Sequence, residues 1–139
     1  MIFAVVHYPN LDTQRINQFR RGYDPQVDLI EPHITHLQGL QRSSDDYLFL
    51  MIQEGKADII GLHNEIYTGV LANFRKGELP HLPHVTLGVF GKDANEYSEA
   101  LAAAKRLDLD YRSVLDKIHL LRIDDDRTRI LWSKEFSLV

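Results

Sequence analysis

Residues 82–88 read LPHVTLG, a run of apolar residues interrupted by a histidine and a threonine set two apart. Successive side chains of a strand point to opposite faces, so His84 and Thr86 share one face while Val85, Leu87 and Val89 share the other. One face is core; the other is left for chemistry or water. Working outward, residues 31–37 read EPHITHL, which repeats the proline, the histidine and the threonine in the same frame, with His33 and His84 51 positions apart (84 minus 33).

The two motifs close the same succession of elements. Ile2 to Val6 is a β-branched strand. Asp12 or Thr13 then caps a helix with Ile16, Phe19 and Tyr23 at spacings of three and four, and EPHIT follows. The second unit opens on the strand YLFLMI, residues 47–52. Its helical pattern puts Ile59, His63, Ile66, Tyr67, Val70, Leu71 and Phe74 on one stripe, and Gly77 with two prolines breaks it before LPHVT. Strand, helix and P-H-x-T strand thus occur twice, an internal repeat of architecture. After the second motif come a helix with Tyr97, Ala100, Leu101, Ala104 and Leu107 on one face, a strand over residues 115–123, an Asp-rich turn and a last strand over 128–138. After the first motif only HLQGLQRSSDD separates Thr35 from the next strand, so the first unit lacks the counterpart of that helix.

A chain of 139 residues and 16.1 kDa is long enough for a real core and short enough for one compact domain over 1–139. No apolar run approaches the roughly 18 residues of a membrane span, and the opening residues lack the basic lead and cleavage site of a signal peptide. Zero cysteines exclude thiolate catalysis and thiolate metal sites and fit a cytoplasmic setting. A net charge of -4 argues against gripping long nucleic acid by its phosphates. The pairs Arg20-Arg21 and Arg75-Lys76 read as solvated helix faces or ends.

If the repeats pack with pseudo-twofold symmetry, the His-Thr faces meet across a groove and surround one small ligand with two imidazoles and two hydroxyls. An unperturbed imidazole pKa near 6.5 allows one copy to serve as base and the other as acid. A phosphodiester with an internal leaving oxygen needs such a pair, each group contributing roughly 10²–10⁴-fold. Threonine hydroxyls about 6.6–7 Å along the strand from each histidine Cα can donate to phosphoryl oxygens.

With P-H-I-T and P-H-V-T-L-G, and with YDPQVDLIEPH, NEIYTGVL and IHLL beside them, the chain resembles the 2H phosphoesterase superfamily, which includes 2′-5′ RNA ligase-like proteins and 2′,3′-cyclic phosphodiesterases. It is most similar to that group's small bacterial phosphoesterases, and the resemblance covers nearly the whole chain. It implies an α+β fold of two pseudo-symmetric antiparallel-sheet lobes with helices outside and a central cleft carrying the two H-x-T motifs. It further implies chemistry without metal or other cofactor, with His84 as base, His33 as acid, and Thr35 and Thr86 on the substrate phosphate. The expected substrate is a 2′,3′-cyclic nucleotide or RNA end; 2′-5′ ligation, or binding of a phosphorylated small molecule or RNA terminus without turnover, are the alternatives.

The chain departs from the family twice. A helix and a strand normally follow the first motif, whereas His36 follows Thr35 directly. Either the first lobe is truncated or residues of the natural chain are missing between these two, and the second reading is taken here. Val89 stands where many relatives carry a basic residue, which weakens the case for a polyanionic RNA substrate.

Phe90, two pleats past Thr86, continues the face of the site as a candidate for stacking on a base or ribose. His36 and His81, each three residues from a motif histidine, suggest an H-x-x-H metal pair, but strand geometry aims the members apart and no metal site is assigned. His7, His63 and His119 read as half-buried or surface histidines, Tyr8 and Tyr67 as core edges, and Asp124 to Asp126 as a solvated turn. Oligomeric state is not legible in the sequence.

Overall fold

A computed structural model describes residues 2–38, 46–75, 81–91 and 94–138. Most of HLQGLQRSSDD, together with Lys76 and Gly77, lies outside the described residues, as does the side chain of His36. The elements in chain order are β1 (Ile2–His7), α1 (Thr13–Tyr23), β2 (Ile34–Gln38), β3 (Asp46–Met51), α2 (Lys56–Ile66), a 3₁₀ helix (Gly69–Phe74), β4 (His84–Phe90), α3 (Ala94–Arg106), β5 (Lys117–Ile123) and β6 (Ile130–Ser137). The fold is α+β, and the six strands form one antiparallel sheet in the order β3-β4-β2-β1-β5-β6. The two P-H-x-T strands, β2 and β4, are therefore neighbours within it. No helix among the described residues is long and apolar enough to cross a membrane.

The alternation of LPHVTLG decides which side faces the core. Val85 and Leu87 are buried while His84 and Thr86 are half-buried. Val85 and Ile34 pack with Ile59 of α2; Leu87 and Leu48 pack with Ile16 of α1 and Ala100 of α3. A further cluster of Ala4, Val6, Leu121 and Ile123 closes against Ile30. Each helix following a first strand thus reaches the motif strand of the other unit: α1 lies on β4 and α2 on β2.

Asp12 is the N-cap of α1, its carboxylate accepting from the Arg15 amide at 3.1 Å. The expected long helical stripe after β3 is interrupted instead. α2 stops at Ile66, Thr68 turns its hydroxyl back to donate to the Glu65 carbonyl at 2.7 Å, and Gly69 takes φ +59, which L side chains avoid. Val70 and Phe74 are consequently exposed rather than packed. Two other readings are corrected by burial. Arg20 is buried, not solvated: its guanidinium donates to the Asp24 carboxylate (2.8 Å), the Asn17 side chain (2.8 Å) and the Ile30 carbonyl (2.9 Å). His7 is likewise fully buried, its Nδ1 2.6 Å from the Lys117 carbonyl oxygen.

Both motif strands carry a register shift in the same place. β1 pairs Val6 with Thr35 and Val5 with Leu37, which leaves His36 as an extra residue. β3 pairs Phe49 with Thr86 and Leu48 with Gly88, which leaves Leu87 as an extra residue. Each bulge falls three residues after the motif histidine, and a bulge reverses the alternation beyond it.

Candidate active site

The motifs meet through one backbone pair, Ile34 with Val85. Antiparallel geometry then sets Thr35 across from His84 and His33 across from Thr86, all four on the face opposite Ile34 and Val85. Neighbouring strands of one sheet, rather than two lobes facing across a groove, thus bring the four polar side chains to one face, each histidine across from the threonine of the other motif.

The two imidazoles are held alike. His33 Nδ1 is 2.8 Å from the Glu31 carbonyl oxygen, and His84 Nδ1 bonds the Leu82 carbonyl. Each carbonyl lies two residues upstream, directly before Pro32 or Pro83, and the proline nitrogen brings no N–H that would draw the chain into ladder pairing there. A carbonyl only accepts, so Nδ1 carries the hydrogen and the neutral ring keeps its lone pair on Nε2. In both neutral rings Nε2 is therefore the nitrogen that carries the lone pair.

Burial pushes the His33 imidazole down to about 4; the Glu31 carbonyl opposes the shift, the Arg20 guanidinium adds to it, Asp24 opposes it, and His84 adds to it. Burial also lowers His84, against the Leu82 carbonyl. Sequence reasoning expected one neutral and one charged imidazole near pH 7, whereas both are shifted toward the neutral form.

Several neighbours were given no place beside the motif histidines by the sequence. Phe49 stacks on His84 with ring centroids 3.7 Å apart, a contact readable only once Phe49 is known to pair with Thr86. Tyr8 approaches His33 edge-on at 6.4 Å and His119 at 4.8 Å, and so stands at the site rather than only at a core edge. Arg127, at the β5–β6 turn with φ +56, lines a crevice with His33, Thr35 and Gln26. That turn is organised by Asp124, whose carboxylate accepts from the Thr128 amide and hydroxyl (both 2.7 Å) and the Arg129 amide (3.0 Å).

Phe90 leaves the site. The extra residue Leu87 flips the strand beyond it, so Phe90 turns to the helices, is 1% exposed, and packs against Tyr23 and Tyr97. It is a core residue, not a stacking platform. His81 stacks on His63 at 4.0 Å, and no three His, Asp or Glu side chains among the described residues are grouped to hold a metal ion.

The profile of the 2′-5′ RNA ligase superfamily matches residues 35–127. The chain belongs to the 2′-5′ RNA ligase superfamily. That match takes in His84 and Thr86 and begins at Thr35, so His33 lies just before the matched stretch. A Bacillus licheniformis protein with the name "Putative phosphoesterase" is 27% identical over 154 residues, covering 87% of this chain and 89% of that protein. A protein of the same name from Staphylococcus aureus strain Newman is 24% identical over 161 residues, covering 93% of this chain and 94% of its own length. Since 87% of 139 residues is about 121, about 33 of the 154 aligned positions are filled by the Bacillus superfamily relative alone.

Proposed function

We propose that this protein is a metal-independent phosphoesterase that opens a 2′,3′-cyclic phosphodiester on a nucleotide or RNA end. The observation that carries the reading is the Ile34–Val85 pair, which aligns two H-x-T motifs with each imidazole Nδ1 bonded to the carbonyl two residues before it. Membership of the superfamily and the names of the two relatives support the same reaction class. The two units are then halves related by a pseudo-twofold axis through Ile34 and Val85, a view supported by the matching bulges at His36 and Leu87.

In this mechanism His84 Nε2 takes a proton from water as the water oxygen attacks phosphorus. His33, protonated on Nε2, gives that proton to the departing ribose oxygen as the P–O bond breaks. The product is a phosphomonoester, and proton exchange with solvent restores both rings. Thr35 and Thr86 donate to the non-bridging oxygens, where charge builds in the transition state. Both rings favour the neutral form when the site is empty, so the negative charge of the bound phosphodiester is what stabilises the imidazolium His33 needs. Phe49 restricts His84 from one side by stacking.

The test is incubation with 2′,3′-cyclic nucleotides in EDTA, with products resolved by chromatography. Ring opening that persists in EDTA and yields a single class of monoester is the expected result. Tight binding of the cyclic nucleotide without product over long incubation would point instead to a binding module.

A further inference from the structure

The row of side chains that holds His84 and Thr35 does not end at the motif strands. Thr35 pairs with Val6 of β1, Val6 with His119 of β5, and His119 with Glu135 of β6. Residues directly opposite each other on neighbouring strands point to the same face, so His84, Thr35, Val6, His119 and Glu135 lie in one line across the sheet. Tyr8, two residues after Val6, packs against the same buried cluster, and its ring stands 6.4 Å from His33 and 4.8 Å from His119. His119 Nε2 is held 3.3 Å from the Glu135 carboxylate, whose other oxygen takes the Lys117 ammonium at 3.1 Å. Tyr8 and His119 are each partly accessible. The absent counterpart of α3 does not compete for this row, because α3 packs on Leu48 and Leu87, on the reverse face of the sheet.

The other flank of the site is different: there Phe49 stacks on His84. The reaction proposed above decides which flank takes the nucleoside. In-line displacement sets the attacking water and the departing ribose oxygen on opposite sides of phosphorus. With the water at His84, the departing oxygen lies at His33, and the nucleoside that carries it extends away from β4 toward β1. We propose, resting on that reading, that Tyr8 and His119 form a nucleoside subsite, with the ribose against His33 and the base stacked on the Tyr8 ring with one edge at His119. Stacking reads the flat face that every base has, so the subsite favours a nucleoside over a bare sugar and tolerates different bases. Glu135 is a positioning residue here, acting through the His119 ring.

The test compares kcat/KM for adenosine 2′,3′-cyclic phosphate with that for methyl riboside 2′,3′-cyclic phosphate, which carries the same sugar and no base. The wild-type protein is expected to prefer the nucleotide about 5–100-fold, mostly through KM. Tyr8→Ala is expected to remove most of that preference, and Tyr8→Phe to keep it. Tyr8→Leu, which retains apolar volume without an aromatic face, decides the matter if Tyr8→Ala does not fold. His119→Ala is expected to reduce the preference about 2–10-fold. A Tyr8 that only positioned His33 would lower both rates alike and leave their ratio unchanged. No preference in the wild-type protein, a ratio indifferent to Tyr8→Leu, or a ratio lost in Phe49→Ala but kept in Tyr8→Leu would overturn the subsite while the hydrolysis stands. Turnover of neither compound would overturn the phosphoesterase reading itself, and the subsite with it.

Discussion

His33 and His84 owe their tautomer to a backbone carbonyl and their lowered pKa chiefly to burial, and the proposed acid and base roles are open to test by pH. A group with a lowered pKa becomes neutral at lower pH than usual, so the singly protonated pair is most populated between two values that both lie below 6.5. The expected kcat/KM profile on a cyclic nucleotide is a bell with its maximum below pH 6.5; a maximum above pH 7 would contradict it. Arg20 belongs to the same scale. It is 1% exposed, holds the Ile30 carbonyl just upstream of His33, and pairs with Asp24. Arg20→Ala leaves a buried carboxylate unpaired and is expected to cost about 3–5 kcal/mol in urea unfolding, against under about 1 kcal/mol for an exposed arginine. The histidines and threonines of the site were legible because they recur in one frame; Arg20 was not, because a helical arginine next to another arginine looks like a solvated pair until its acceptors are known.

At the scale of elements, period and capping identified β1, α1, β3, β4, α3, β5 and β6 to within a few residues. The repeat led to an expectation of two lobes with a sheet each, whereas the described strands form a single sheet in which the P-H-x-T strands are neighbours. What sequence could not supply was the extra residue in β4. Alternation counted through Leu87 sends Phe90 to the site, and the bulge sends it to the core. Gly88 beside that bulge has no room for a side chain: a Cβ there would lie 2.8 Å from the Phe90 ring and 2.9 Å from Tyr23 Cβ. Gly88→Ala is therefore expected to lower stability by about 1–3 kcal/mol in thermal or urea unfolding, whereas an unchanged midpoint would argue against the close packing of β4 on α1. The second miss has a similar origin, since the stripe from Ile59 to Phe74 fits one helix until Gly69 adopts positive φ. Phe74→Ser is expected to change stability by less than about 0.5 kcal/mol. The absent counterpart of α3 agrees in scale with the 33 or so positions that relatives fill alone; if residues stand between Thr35 and His36 in the natural chain, its intact mass will exceed 16.1 kDa.

For the molecule as a whole, burial lowers the pKa of His7, His33, His81 and His84, so unfolding lets each take up a proton that the folded state refuses. Their contribution to stability is full above about pH 6.5 and is lost as pH falls toward about 4, the value of His33 and His81. Scanning calorimetry is expected to show Tm falling steadily from pH 7 to pH 4.5; a flat Tm over that range would contradict the burial of these rings. The single sheet sets the two motifs side by side through the Ile34–Val85 pair, and the proposed function requires them to act as one unit. The most direct measurement of that claim is the rate of 2′,3′-cyclic nucleotide hydrolysis in EDTA for His33→Ala, His84→Ala and the double variant. Acting as one unit, each single change lowers kcat by about 10²–10⁴-fold and the double change costs little more than the worse single; activity indifferent to both substitutions would contradict the account.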